Sequence, residues 1–131
     1  MSKFLKDYNF GLQKEVEILE IIKNYFNDDT IIKLNKYNVF DFKGISYYEL
    51  KSRNNEYNKY SSTMIGNNKI IKASQLDDDV YFLFSFTDGL YYWKYDKNYK
   101  LEIKKGGRID RGIAEINDYA FIPIEILIKI V

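Results

Sequence analysis

Apolar residues near the start of the chain recur at spacings of three and four: Leu12, Val16, Leu19, Ile22 and Phe26. That period marks an amphipathic helix. It predicts one from about Ser2 to Phe26, ended by Asn27-Asp28-Asp29. Beyond it the pattern changes to short β-branched and aromatic runs separated by turn residues. These predict strands at Thr30–Leu34, Val39–Phe42 and Ile45–Arg53, with turns at residues 35–38 and at Lys43-Gly44. A polar stretch over residues 54–58 leads to a second helix near Asn67–Ser74, and Asp77-Asp78-Asp79 separates that helix from the apolar run Val80–Phe86. Thr87-Asp88-Gly89 is a hairpin signal, with Leu90–Tyr95 as the return strand. Residues 104–112, polar and glycine-rich, read as an exposed loop, and Pro123 is expected to break the apolar stretch Tyr119–Val131 into a strand and a short final element.

Helix, three strands, helix, then two or more strands make an α/β sandwich on a mixed sheet. The 131 residues fit a single domain, residues 1–131, large enough to bury a core. With 46% hydrophobic and 18% aromatic residues the chain reads as globular. No repeat, linker or low-complexity segment is visible.

Charge adds little, because 20 basic and 19 acidic residues leave a net charge of +1. What is missing says more. The chain has neither cysteine nor histidine. Disulfides, zinc-thiolate sites, thiol catalysis, Ser-His-Asp triads and imidazole bases are therefore excluded. Catalysis must use carboxylates, Lys, Tyr, hydroxyls and a hard, oxygen-bound cation such as Mg²⁺ or Mn²⁺. No stretch approaches the roughly 18 apolar residues needed to span a membrane, and the chain is expected to be intracellular.

Glu49-Leu50-Lys51 lies on a predicted strand, so Glu49 and Lys51 share one face and Leu50 takes the other. A carboxylate beside an ammonium suits phosphodiester hydrolysis: the carboxylate holds a divalent cation that activates water, and the lysine positions that water or offsets phosphoryl charge. Asp41 on the preceding strand offers a second carboxylate. A two-residue turn would pair residue 42 with 45 and put Asp41 and Glu49 on opposite faces. A three-residue loop with Gly44 left-handed would pair 42 with 46 and make them diagonal neighbours, roughly 7–8 Å apart at the backbone. On the first helix, Glu15 falls near the middle of the apolar arc, whereas Glu17 and Glu20 fall on the wet side. A carboxylate in an apolar stripe needs a partner or a metal.

Asp41 followed by Glu49-Leu50-Lys51, behind a helix carrying Glu15, resembles the PD-(D/E)XK nuclease superfamily, especially its resolvase-like and small viral members. The resemblance covers roughly residues 10–95 and departs from the family pattern at its proline, since Phe40 precedes Asp41. It implies a restriction-endonuclease-like αβββαβ core, a mixed central sheet flanked by helices. It further implies that Asp41 and Glu49 bind Mg²⁺ (or Mn²⁺), that Lys51 is catalytic and that Glu15 is the helical carboxylate. A Lys or Gln on the helix after the E-x-K strand is also usual there, which makes Lys69 the candidate, with Lys72 one turn on. The implied activity is Mg²⁺-dependent endonucleolytic cleavage of DNA. Asp41, Glu49, the Leu50 carbonyl and Glu15 would be the metal's ligands, and Lys69 would contact phosphate.

Plainer readings stand beside these. Glu49 and Lys51 could form an ion pair on a solvated strand, Asp41 could cap a turn, and Lys69 and Lys72 could be solvated helix residues. Tyr47, Tyr48, Tyr57 and Tyr60 could stack on bases or fill the core, and Arg53, Arg108 and Arg111 could contact phosphates. The basic segment 104–108 lacks the pattern of a nucleotide-binding loop. The apolar C-terminus, Ile122 to Val131, is a plausible homodimer interface. The alternative to an enzyme is a non-catalytic nucleic-acid- or protein-binding module on the same fold. A third possibility is an unrelated α+β interaction domain.

Overall fold

In the computed structural model, which describes residues 3–108 and 115–131 (side chains over 13–106 and 117–131), the run Val80–Phe86 lies at the centre of the main sheet. Six of its seven residues are buried, on both faces, which is why it reads as an unbroken apolar run rather than an alternating one. In chain order the elements are α1 (Lys3–Tyr25), β1 (Ile32–Lys33), β2 (Phe42–Lys43), β3 (Tyr47–Ser52), β4 (Ser62–Gly66), α2 (Asn67–Ser74), β5 (Val80–Phe86) and β6 (Gly89–Lys94). Then follow β7 (Glu102–Arg108), β8 (Glu115–Pro123), a 3-10 turn (Ile124–Ile126) and β9 (Ile128–Lys129).

The main sheet runs β1-β2-β3-β5-β6-β9, antiparallel except for the parallel pair β3/β5. A second, antiparallel sheet runs β4-β8-β7. Each face of the main sheet has its own cover. On one side Ile18 and Ile22 of α1 bury against Ile31, Phe42, Tyr48, Leu83 and Leu90. On the other, Ala73 of α2 and Ile65, Ala120 and Ile122 of the second sheet close over Phe40, Phe82, Phe84 and Trp93. The result is a mixed α/β architecture with a mixed central sheet and two helices, compatible with a PD-(D/E)XK-like fold.

Several sequence expectations need correction. Val16 is not on the buried stripe of α1 but 62% exposed; the stripe runs through Ile18 and Ile22. Between the polar stretch over 54–58 and α2, where no element was expected, lies a strand, β4, that belongs to the second sheet. The glycine-rich segment expected as a loop over 104–112 is strand as far as Arg108, paired to β8 from Glu102↔Phe121 to Arg108↔Glu115; the rest lies outside the described residues. Much of the C-terminus is used inside the chain, although Ile128 and Val131 stay half-exposed. Ile122 and Leu127 are core residues, β9 pairs with β6, and Leu90 N–H donates to the Val131 carbonyl at 3.0 Å. The homodimer expected there is therefore unsupported. Pro123 does end β8, as expected.

Candidate active site

The β2–β3 connection sets the geometry of the site. Lys43 pairs with Tyr47, leaving the three-residue loop 44–46, and Phe42 pairs with Tyr48. The loop has the odd length that puts Asp41 and Glu49 on one face, but the register lies further along than expected. Asp41 itself lies just outside the ladder, its N–H donating to Tyr48 O out of register, and its carboxyl comes within hydrogen-bonding reach of Glu49. Gly44 is not left-handed. Its need is space: an added Cβ would lie 2.7 Å from Ile31 Cγ1 and closer still to Asp28. Asp28, only 5% exposed, staples the loop: its Oδ2 accepts from Ile45 N–H at 2.8 Å, and its Oδ1 accepts from Thr30 N–H and Oγ1 at 2.9 and 2.5 Å. These bonds hold the Asp28 carboxyl below the usual carboxylate range, the Thr30 hydroxyl contributing most.

Asp41 Oδ2 accepts the Leu50 N–H at 2.8 Å, while its backbone N–H donates to Tyr48 O at 3.0 Å. The hairpin thus grips this carboxylate from both its side chain and its backbone. Glu49 is 3% exposed and close enough to Asp41 to share a hydrogen bond. Two ammonium groups face Glu49 Oε2: Lys69 Nζ of α2 at 3.1 Å and Lys51 Nζ of the same strand at 3.8 Å. Lys69 also donates to the Val39 carbonyl and lies over the Phe40 ring. Burial, the hydrogen bond with Asp41 and the charge of Asp41 push the Glu49 carboxyl up to about 8, against the opposing pull of Lys69 and Lys51. Without a cation, Glu49 therefore keeps its proton to a higher pH than an ordinary glutamate.

A buried carboxyl pressed against a second, half-buried one suits a hard divalent cation, which oxygen ligands of this kind could hold. Among the described residues no group of three or more acidic side chains is arranged around one point, so the chain offers two carboxylates there. Glu15 stands apart. Its Oε2 lies 2.9 Å from Lys33 Nζ. Lys33 is opposite Phe42 in the sheet, and so on the α1 face, whereas Asp41, Glu49 and Lys51 lie on the α2 face. Leu50 also packs toward α1.

The remaining candidates sort by burial. Tyr48 is buried and stacked on Tyr81, Tyr57 stacks on Tyr91 at 4.1 Å and donates to Ile124 O, and Tyr47 packs against Phe40. Tyr60 alone of those four is largely exposed, at 58%. Arg53 is tied to β4 through Thr63 Oγ1 and the Met64 carbonyl. The side chain of Arg108 and all of Arg111 lie outside the described residues, and Lys72 is half-buried. Sequence reasoning missed Asp28, whose run Asn27-Asp28-Asp29 looked like a simple helix stop. Its one signal, a Thr two residues on, is that of an Asx turn.

A model of the family described as "Phage putative PDDEXK endonuclease" matches residues 12–130 of the chain. No curated protein and no solved structure matches it. No helix among the described residues is long and apolar enough to cross a membrane.

Proposed function

The chain belongs to the phage PDDEXK endonuclease family, and on that premise we propose that it is a metal-dependent endonuclease that hydrolyses DNA phosphodiester bonds. One observation carries this reading: the buried Glu49 carboxyl beside Asp41, faced by Lys69 at 3.1 Å and Lys51 at 3.8 Å. A structural ion pair would need one carboxylate and one ammonium. Two of each, with a carboxyl driven up to about 8, is an arrangement that costs stability and suits a catalytic site.

In this reading Asp41, Glu49 and the Leu50 carbonyl would hold Mg²⁺ or Mn²⁺, and the bound cation would activate water and offset phosphoryl charge. Glu15, paired to Lys33 on the α1 face of the sheet, is left out of that set. Lys51 orients the attacking water and Lys69 offers its ammonium to the substrate phosphate. The core elements would be α1, β1–β3, α2 and β5, an αβββαβ arrangement into whose crossover β4 has been added.

The test is cleavage of duplex, single-stranded, flap and four-way-junction DNA with Mg²⁺, Mn²⁺ or EDTA, with Lys51→Ala as control. Metal-dependent cutting lost in the variant is the expected result. Folded protein that cuts none of them would leave a binding module as the better reading.

A further inference from the structure

Beyond Lys51 the same strand face continues to Arg53, whose N–H donates to Ser85 O at 2.8 Å and so prolongs the β3/β5 pairing. The two cations share a neighbour. Phe84 is the register partner of Lys51, and its ring lies under the Arg53 guanidinium, 6.0 Å from centroid to Cζ. Arg53 in turn forms part of the wall of a cavity of about 460 Å³, lined also by Asn55, Tyr60, Ser62, Phe86 and Phe121. This is within the roughly 300–1,000 Å³ typical of small-ligand sites. It sits at the carboxyl ends of the one parallel strand pair, where open α/β sheets usually take their ligands.

Its chemistry is specific. The walls are mainly apolar and aromatic, with hydroxyl and amide groups from Ser62 and Asn55 at intervals and one guanidinium for negative charge. Arg53 is held in place by Thr63 Oγ1 at 3.2 Å and by the Met64 carbonyl. Tyr60, 58% exposed, offers a ring that no aromatic neighbour stacks on among the described residues; only the Lys59 ammonium lies over it, 5.6 Å from its centroid. Flat apolar surface with edge-on polar groups and a nearby cation matches a nucleobase attached to a phosphate.

The geometry points to this cavity as a subsite for one unpaired nucleotide next to the phosphate that is cut, its base against Tyr60 and its phosphate facing Arg53. This rests on the nuclease reading and sharpens it. A base held in a duplex stack cannot enter such a cavity without being extruded, whereas a flap, a junction or a single strand presents one already free. The substrate class is therefore DNA with an unpaired nucleotide beside the cleavage point.

The experiment uses the full chain and oligonucleotides carrying 2-aminopurine at one unpaired position, with the matching perfect duplex as comparison. Binding is read by fluorescence in EDTA and cleavage is read separately in Mg²⁺. Wild-type protein should quench the unpaired probe and prefer it to the duplex. Tyr60→Ala should lower that preference roughly five-fold or more, and Tyr60→Phe should restore it. Equal affinity for both probes, or a preference that survives in Tyr60→Ala, overturns the subsite. The two readings fail separately: quenching without cleavage would sink the nuclease and keep the subsite, and cleavage indifferent to Tyr60 would do the reverse.

Discussion

Glu49 and Lys69 meet at 3.1 Å across two elements that share no backbone pairing, the inner strand β3 and the helix α2. Their contact is what makes the buried carboxyl tolerable. It does not make it comfortable, because Asp41 on the other side works against it.

From this follows a dependence of stability on pH. The folded-state pKa of Glu49 is raised from 4.5 to about 8. A group shifted that way contributes stability below its unfolded value and loses it as pH rises through its folded value. Metal-free protein should therefore lose stability between about pH 4.5 and 8. Glu49→Gln should remove that loss and be the more stable form at pH 8.5, by on the order of a few kcal/mol. Urea denaturation of both proteins in EDTA at pH 6 and 8.5 measures it. Added Mg²⁺ should stabilise wild type at pH 8.5 and leave Glu49→Gln almost unmoved.

Lys69→Met tests the other partner. Without that ammonium the pull that lowers the Glu49 carboxyl is weakened, so its titration should move above 8. NMR titration of carboxyl-labelled glutamate reads the shift directly. An unchanged midpoint would mean that the contact contributes nothing to the charge balance.

Lys51 is half-exposed and makes only the longer 3.8 Å approach to Glu49. Lys51→Ala should leave stability within about 1 kcal/mol of wild type while lowering the single-turnover cleavage rate roughly 10²–10³-fold. DNA affinity should fall far less. A variant that loses affinity and rate together would place Lys51 in binding rather than in the chemical step.

Two substitutions probe the loop that aligns the carboxylates. Gly44→Ala drives a methyl group into Ile31 and Asp28 and should cost about 1–3 kcal/mol. Asp28→Ala leaves the Ile45 and Thr30 N–H groups without their acceptor and should lower Tm. Because the Asp28 carboxyl is held below 3.8, its contribution is present above that value and fades as pH falls through its lowered pKa. The Tm gap between wild type and Asp28→Ala should narrow in acid.

What could be read from the sequence was whatever rested on period. α1, α2 and the β5–β6 hairpin fall where their patterns predict, and Glu49 and Lys51 share a face because strand side chains alternate. The failures have physical causes. In β4 the alternation is real, but Thr63 occupies one of its two buried positions, so no apolar rhythm announces it. The described residues of β7 are mostly exposed and rich in Lys and Gly, giving no apolar face to detect. The β2–β3 register depends on Asp28, 17 residues before Ile45, and no local rule sees that far. The helical wheel placed Glu15 along the buried side of α1 but could not say which face of the sheet α1 would cover.

The parallel pairing of β3 with β5 also orders events in time. The acidic half of the site is built from a hairpin whose strands are separated by three residues, while Lys69 arrives only when the crossover through β4 and α2 has closed. Local contacts form sooner than distant ones because they cost less chain entropy. During folding, Asp41 and Glu49 are thus brought together while still open to water. Docking of α2 is then expected to come later, removing the solvent and supplying the compensating ammonium in one movement.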